Sequence, residues 1–156
     1  MTAKEYLDQI RLLNVKIDQK IQEKEELMSL AESRGSQAGD PNKVQTSGST
    51  AGPMRYVDKA VDMESRIDRM IDSYIDLKDT IINQINQLDD PRYIELLSLK
   101  YVGRRDEYGR IHYFRLEEIA CTRTKRNGEP YSYDHINRLH GEALQKFYKQ
   151  HGIAKL

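Results

Sequence analysis

The 156-residue chain contains one cysteine, no tryptophan, two phenylalanines and four prolines. A lone Cys121 excludes an intramolecular disulfide framework and a four-thiolate zinc site. No apolar run approaches the roughly 18 residues needed for a membrane-spanning helix, and the opening Met1-Thr-Ala-Lys-Glu lacks the apolar centre of a signal peptide. The expectation is a soluble, cytoplasmic protein with no membrane partner. Aromatic residues make up 8% of the chain and charged residues 32%, so a large compact core is not expected, and the composition favours extended helices. The length allows one domain, or a small domain with a helical appendage.

A formal net charge of zero conceals an uneven distribution. Residues 1–90 carry 12 Lys/Arg against 17 Asp/Glu, whereas residues 91–156 carry 13 against 8 and hold all four histidines. An acidic part followed by a basic part predicts two functions, the basic one being the candidate for contact with a polyanion.

Helical periodicity dominates the acidic part. Over residues 3–32, Tyr6, Leu7, Ile10, Leu13, Ile17, Ile21, Leu27, Met28 and Ala31 recur at helical spacing on one face. Thr2 and Glu5 have the spacing of a capping box. Residues 33–53, with four glycines and two prolines, read as a loop; Gly48-Ser-Thr-Ala-Gly52 lacks the Gly-Lys-Ser/Thr ending of a phosphate loop. Over 54–88, Ala60, Met63, Ile67, Met70, Tyr74, Leu77, Ile81 and Leu88 alternate in steps of three and four, interrupted at Gln84 and widened by Val57, Val61, Ile71 and Ile85. This pattern predicts a coiled-coil seam and, for residues 1–88, an antiparallel helical hairpin that also makes a homodimer.

Residues 89–156 differ in character. Asp90-Pro91 begins a helix that Gly103 ends. Residues 104–110 form a polar turn, Ile111-His-Tyr-Phe114 has the pattern of a short strand, and Leu116–Ala120 opens a further helix. A basic loop follows through Pro130, and Ser132 caps a last helix over 133–149 with Ile136, Leu139, Ala143, Leu144 and Phe147 inward. The fold class is therefore all-α, with three C-terminal helices in the outline of a helix-turn-helix, in which the last helix lies in the major groove. Its outward residues suit groove contact. Asn137 and Arg138 can meet adenine and guanine in bidentate fashion, and Asp134 can accept from a cytosine amine. Gly141, one turn beyond Asn137, would admit a sugar-phosphate wall.

The segments Leu88–Tyr101, Leu116–Ala120 and Ser132–Phe147 resemble the C-terminal, promoter-reading region 4 of bacterial sigma factors. The whole chain, including Glu5–Ile10 and Val44-Gln-Thr-Ser47, resembles the phage-encoded ArpU/RinA-type late transcription regulators. The resemblance implies a DNA-binding domain in which Tyr133, Asp134 and Arg138 read the promoter element, with Asn137 beside the backbone. It further implies a regulator that activates phage late genes in the nucleoid of a bacterial host. Two departures stand out: Arg115 occupies the usual Ser/Thr cap position, and the turn before the last helix is longer, carrying Arg123, Lys125 and Arg126 as candidate phosphate contacts.

The expected site thus comprises Ser132, Tyr133, Asp134, Asn137, Arg138 and Gly141 with Arg123, Lys125 and Arg126, and the expected partners are double-stranded DNA, a second copy and host RNA polymerase. No cofactor or metal is expected, since His135 and His140 are wrongly spaced for a metal pair. Asp89/Asp90 and Glu117/Glu118 are adjacent rather than opposed, and no nucleophile setting is legible, so no enzymatic activity is expected. Rival readings are an adaptor that grips RNA polymerase without reading DNA, and a small DNA-packaging subunit.

Overall fold

A computed structural model describes residues 1–35 and 52–152. The chain is mostly helical: α1 (Ala3–Gly35), α2 (Pro53–Asn86), α3 (Pro91–Leu97), α4 (Leu116–Thr122) and α5 (Tyr133–His151), with a two-stranded antiparallel sheet of β1 (Arg104–Arg105) and β2 (Ile111–His112). Most of the 33–53 loop, including Val44–Ser47 and all but the last residue of the Gly48–Gly52 stretch, lies outside the described residues. The described residues fall into two compact units, one of Leu13–Tyr74 and one of Met1–Leu12 with Ile75–Leu156.

In the Leu13–Tyr74 unit, Lys24 pairs with Glu64 at 2.9 Å and the Arg34 guanidinium lies 5.1 Å from the centre of the Tyr56 ring. These contacts run in opposite chain directions, so the two helical segments are antiparallel here. Ile17, Ala31, Ala60 and Ile67 are buried. Other stripe residues are less covered: Met63, Met70 and Tyr74 are half-buried, while Ile21, Met28 and Val61 are exposed. Val61 was expected to widen the packed stripe; it stands 56% exposed because it sits at the stripe's margin, next to the fully covered Ala60.

The second unit combines the start of α1 with the elements that follow Tyr74. At the start of α1, the Thr2 N–H donates to Glu5 and the Glu5 N–H donates to Thr2 Oγ1, at 2.6 and 3.2 Å, closing a reciprocal cap. Gln84, the interruption in the apolar stripe, is satisfied: its side-chain oxygen accepts from Tyr6 Oη at 2.9 Å, and its carbonyl lies 2.8 Å from His151 Nε2. A polar residue can hold a packed position when its hydrogen-bonding groups are met. Leu7, Ile10, Ile81, Ile85, Leu97, Tyr101 and Phe147 are almost fully buried in the same unit.

Asp90 caps α3 by accepting from the Arg92 N–H at 2.9 Å, with Pro91 at the first helical position. After Leu97 the helix widens into a π-helical turn over Ser98–Val102. The Gly103 N–H therefore donates to the Ser98 carbonyl rather than to that of Leu99, and Leu99 O instead accepts from the Phe114 N–H at 3.1 Å. That bond ties the following hairpin back to the helix. Gly103 ends the helix with φ 75°, and a Cβ there would lie 2.6 Å from the His112 carbonyl oxygen. Both the left-handed backbone and the close strand require glycine.

The 104–112 segment, a polar turn and a strand pattern in the sequence, closes as one hairpin. The Asp106 N–H donates to Arg110 O and the Gly109 N–H to Asp106 O, with Gly109 at φ 79°. The stretch before α5 repeats this geometry. Lys125 N–H donates to Glu129 O at 2.7 Å, Gly128 N–H to Lys125 O at 2.9 Å, Gly128 has φ 84°, and Thr124 bridges Pro130. Each is a turn followed by a left-handed glycine, a common three-residue hairpin loop.

Candidate nucleic-acid interface

Two short elements hold α5 in place. Leu96 and Leu99 from the α3 segment, Leu116, Ile119 and Ala120 from α4, and Ile136 and Leu139 from α5 form one buried cluster, with Tyr93, Phe114 and Tyr131 packed against it. Arg115 precedes α4 in extended conformation, and its backbone N–H donates to Glu118 Oε2 at 2.7 Å. Only half of a capping box is possible there, because a guanidinium has no acceptor to offer. That bond and the nearby His112 hold the Glu118 carboxyl below its usual range.

Helix α5 begins where the Ser132 hydroxyl accepts from the His135 N–H at 3.2 Å. From this cap the helical period separates two faces. Ile136, Leu139, His140, Ala143 and Phe147 are buried, whereas Tyr133, Asp134, Asn137, Arg138 and Gly141 are exposed. Leu144, expected inward, is half-buried. Nothing lies within 4 Å of a Cβ added at Gly141, so packing within the described residues gives no reason for glycine there.

His140 belongs to the buried face. Its Nε2 lies 2.8 Å from Tyr101 Oη and the two rings stack at 5.8 Å. Burial, reinforced by the positive charges of Lys100 and Lys4, pushes the His140 imidazole down to about 4. Burial, and then Asp8, raises the Tyr101 hydroxyl. Both groups are neutral at pH 7, which suits a hydrogen bond between them in a covered site.

The basic residues preceding α5 divide into two groups. Arg123, one of the expected phosphate contacts, is partly buried and its guanidinium pairs with Glu95 of α3, so its charge serves an internal ion pair. Lys125 and Arg126 stand at the hairpin tip; Lys125 is about half exposed, with Nζ 3.9 Å from Glu129, and Arg126 is exposed. The turn thus projects two of its three cations.

Between the hairpin and α5 lies a groove of about 360 Å³ lined by Lys125, Tyr131, Ser132, Asp134, His135 and Arg138. Four of these six were singled out in the sequence. Tyr131 and His135 were not expected to belong to the site, and they contact each other there. Their rings stack at 5.0 Å with an interplanar angle of 12°, and Arg138 Nη2 lies 3.3 Å from His135 Nδ1. The helical spacing of His135 and Arg138 could have suggested their pairing; the Tyr131 stack depends on the hairpin's return path. Asn137 and Gly141 lie on the exposed face of α5 but do not line the groove.

Among the described residues no cluster of His, Cys, Asp and Glu could hold a metal ion, and no helix is long and apolar enough to cross a membrane. Compared with protein-family models, with curated proteins and with solved structures, the chain finds no match.

Proposed function

We propose that this chain is a sequence-specific, double-stranded-DNA-binding transcription regulator whose reading element is α5, and that it acts as an activator of phage late genes. The observation that carries the reading is the two-faced character of α5. One side is anchored on α3 and α4 through Ile136 and Leu139, and the other leaves Tyr133, Asp134, Asn137 and Arg138 exposed beside a cationic hairpin tip. A major-groove helix needs this division, with base-edge contacts from its N-terminal turns and phosphate contacts from flanking cations. Lys125 and Arg126 supply the cations. The likeness of 88–101, 116–120 and 132–147 to sigma-factor region 4 points the same way, and it is what suggests a promoter as the target.

The long helices fit a role in assembly. In the Leu13–Tyr74 unit, Val15, Ile21, Met28, Leu30 and Val61 are exposed apolar residues, and a second copy of the chain is the partner proposed for them. A two-fold dimer would place half-sites about 10 base pairs, one helical turn, apart. The same helices are the proposed contact for host RNA polymerase.

The test is binding of the full chain to duplexes selected from a randomised library, followed by anisotropy titrations across a salt series. Arg138→Ala is expected to cost about 1–3 kcal/mol on the selected duplex and to relax preference at one base pair, whereas Lys125→Ala weakens all duplexes alike and lowers the salt slope by about one. Failure of the parent chain to bind any duplex at low salt would refute the reading. Capture of RNA polymerase by a chain that binds no DNA would replace it with the adaptor function.

A further inference from the structure

Arg138 is not a free surface arginine. We infer that Tyr131 and His135 form a positioning relay that holds the Arg138 guanidinium in place for reading a guanine; the inference rests on the DNA-binding function proposed above.

The relay starts at the hairpin's end. The Tyr131 N–H donates to the Arg123 carbonyl at 3.2 Å, and its ring packs against the buried cluster of α3, α4 and α5. This fixed ring stacks face to face on His135, whose own N–H is engaged by the Ser132 cap. The cap fixes the His135 backbone and the Tyr131 stack sets the imidazole plane. A guanidinium has donors only, so in the 3.3 Å contact between Arg138 Nη2 and His135 Nδ1 the imidazole nitrogen accepts. That places the ring proton of neutral His135 on Nε2.

The arrangement matters because a long arginine side chain loses rotamer entropy when it is ordered, and that cost is subtracted from affinity at the moment of binding. An arginine already held by one N–H needs less ordering. Its five donors leave enough for a two-point contact to guanine O6 and N7 while one stays on His135. A phosphate contact would gain less from this arrangement, since it tolerates many side-chain positions. The relay therefore points to a base edge, and the two-point geometry points to guanine.

Three variants of the full chain separate the parts of the relay. His135→Phe keeps an aromatic ring against Tyr131 and removes the acceptor, His135→Gln restores an acceptor, and Arg138→Ala removes the reader. The probes are the duplex that the parent chain selects from a randomised library, the same duplex with each guanine in turn replaced by 7-deazaguanine, and an unselected duplex. The parent is expected to lose about tenfold in affinity at one 7-deazaguanine position, and Arg138→Ala to lose that sensitivity entirely. His135→Phe should reduce it to about twofold, and His135→Gln should recover most of it. Nitrogen-15 shifts of the free protein should show His135 Nδ1 as an unprotonated acceptor.

Full 7-deazaguanine sensitivity in a folded His135→Phe variant would overturn the relay while leaving DNA binding intact. Sensitivity retained in Arg138→Ala would overturn Arg138 as the guanine reader. A His135 proton residing on Nδ1 would overturn the relay without reference to DNA. A parent chain that binds no duplex would overturn the relay together with the function it rests on.

Discussion

Acidification should loosen the Met1–Leu12/Ile75–Leu156 unit through His140, beginning near pH 6.5. The buried imidazole is pushed down from 6.5 to about 4, a difference of about 3 kcal/mol at 1.36 kcal/mol per unit. A folded-state value below the unfolded one means that the unfolded chain binds the extra proton. The His140 contribution is therefore complete above about pH 6.5, falls as the pH drops, and is lost by about pH 4. Glu5, Asp90, Asp106 and Glu118 are also held low, mainly by hydrogen bonds to their carboxylates, so their losses fall in the carboxylate range below. The window from pH 6.5 to 4.5 lies above those carboxylates, and the double variant below separates His140 from the other histidines of the unit. Two measurements check this: the His140 Cε1 proton shift against pH, expected to show a midpoint near 4, and urea unfolding followed by tyrosine near-ultraviolet circular dichroism at several pH values. His140→Leu alone would leave the Tyr101 hydroxyl buried without its partner, at a cost of about 1–3 kcal/mol. The informative variant is Tyr101→Phe with His140→Leu, which makes both partners apolar and should lose the slope in this window. A His140 midpoint near 6.5, or an unchanged slope in the double variant, would refute the reasoning.

Two glycines give opposite predictions. Gly103→Ala forces a Cβ against the His112 carbonyl oxygen at a backbone angle of 75°; it should destabilise the unit by about 2 kcal/mol or more in thermal or urea unfolding, and unchanged stability would contradict the packing described. Gly141→Ala, with open space at its Cβ, should instead stabilise α5 by up to about 1 kcal/mol while weakening binding to a selected duplex. Equal or tighter binding by this variant would remove Gly141 from the proposed interface.

Much of the backbone was legible because its determinants are local. The Thr2/Glu5 spacing, the Asp90-Pro91 start, the Gly103 stop and the Ser132 cap are each decided within a few residues, and each sits at a helix end in the structure. The periodicity of α5 likewise separated Ile136, Leu139, Ala143 and Phe147 from Tyr133, Asp134, Asn137 and Arg138. Two features were not legible for a common reason. The π-helical turn over Ser98–Val102 places Leu99 O against the Phe114 N–H, and that partner lies 15 residues away across a hairpin. The direction of Arg123 is similar: its charge suggested phosphate, but Glu95, 28 residues earlier, takes the guanidinium. Charge counted along a sequence does not reveal which cations are consumed inside the fold.

That distinction bears on how the basic half should be read. An excess of cations in residues 91–156 would favour any polyanion if all were exposed, and such attraction carries no sequence information. The structure removes Arg123 into the α3 contact and pairs Arg110 with Asp106 and Arg92 with Asp90. Around the start of α5 stand Lys125, itself 3.9 Å from Glu129, with Arg126 and Arg138, and Asp134 is also exposed there. A carboxylate in the first turn of α5 suits the helix N-terminus and opposes phosphate; against DNA it can accept from a donor such as a cytosine amine. On the function proposed above, its presence next to Arg138 fits a surface that discriminates among base edges, beyond holding a charged backbone.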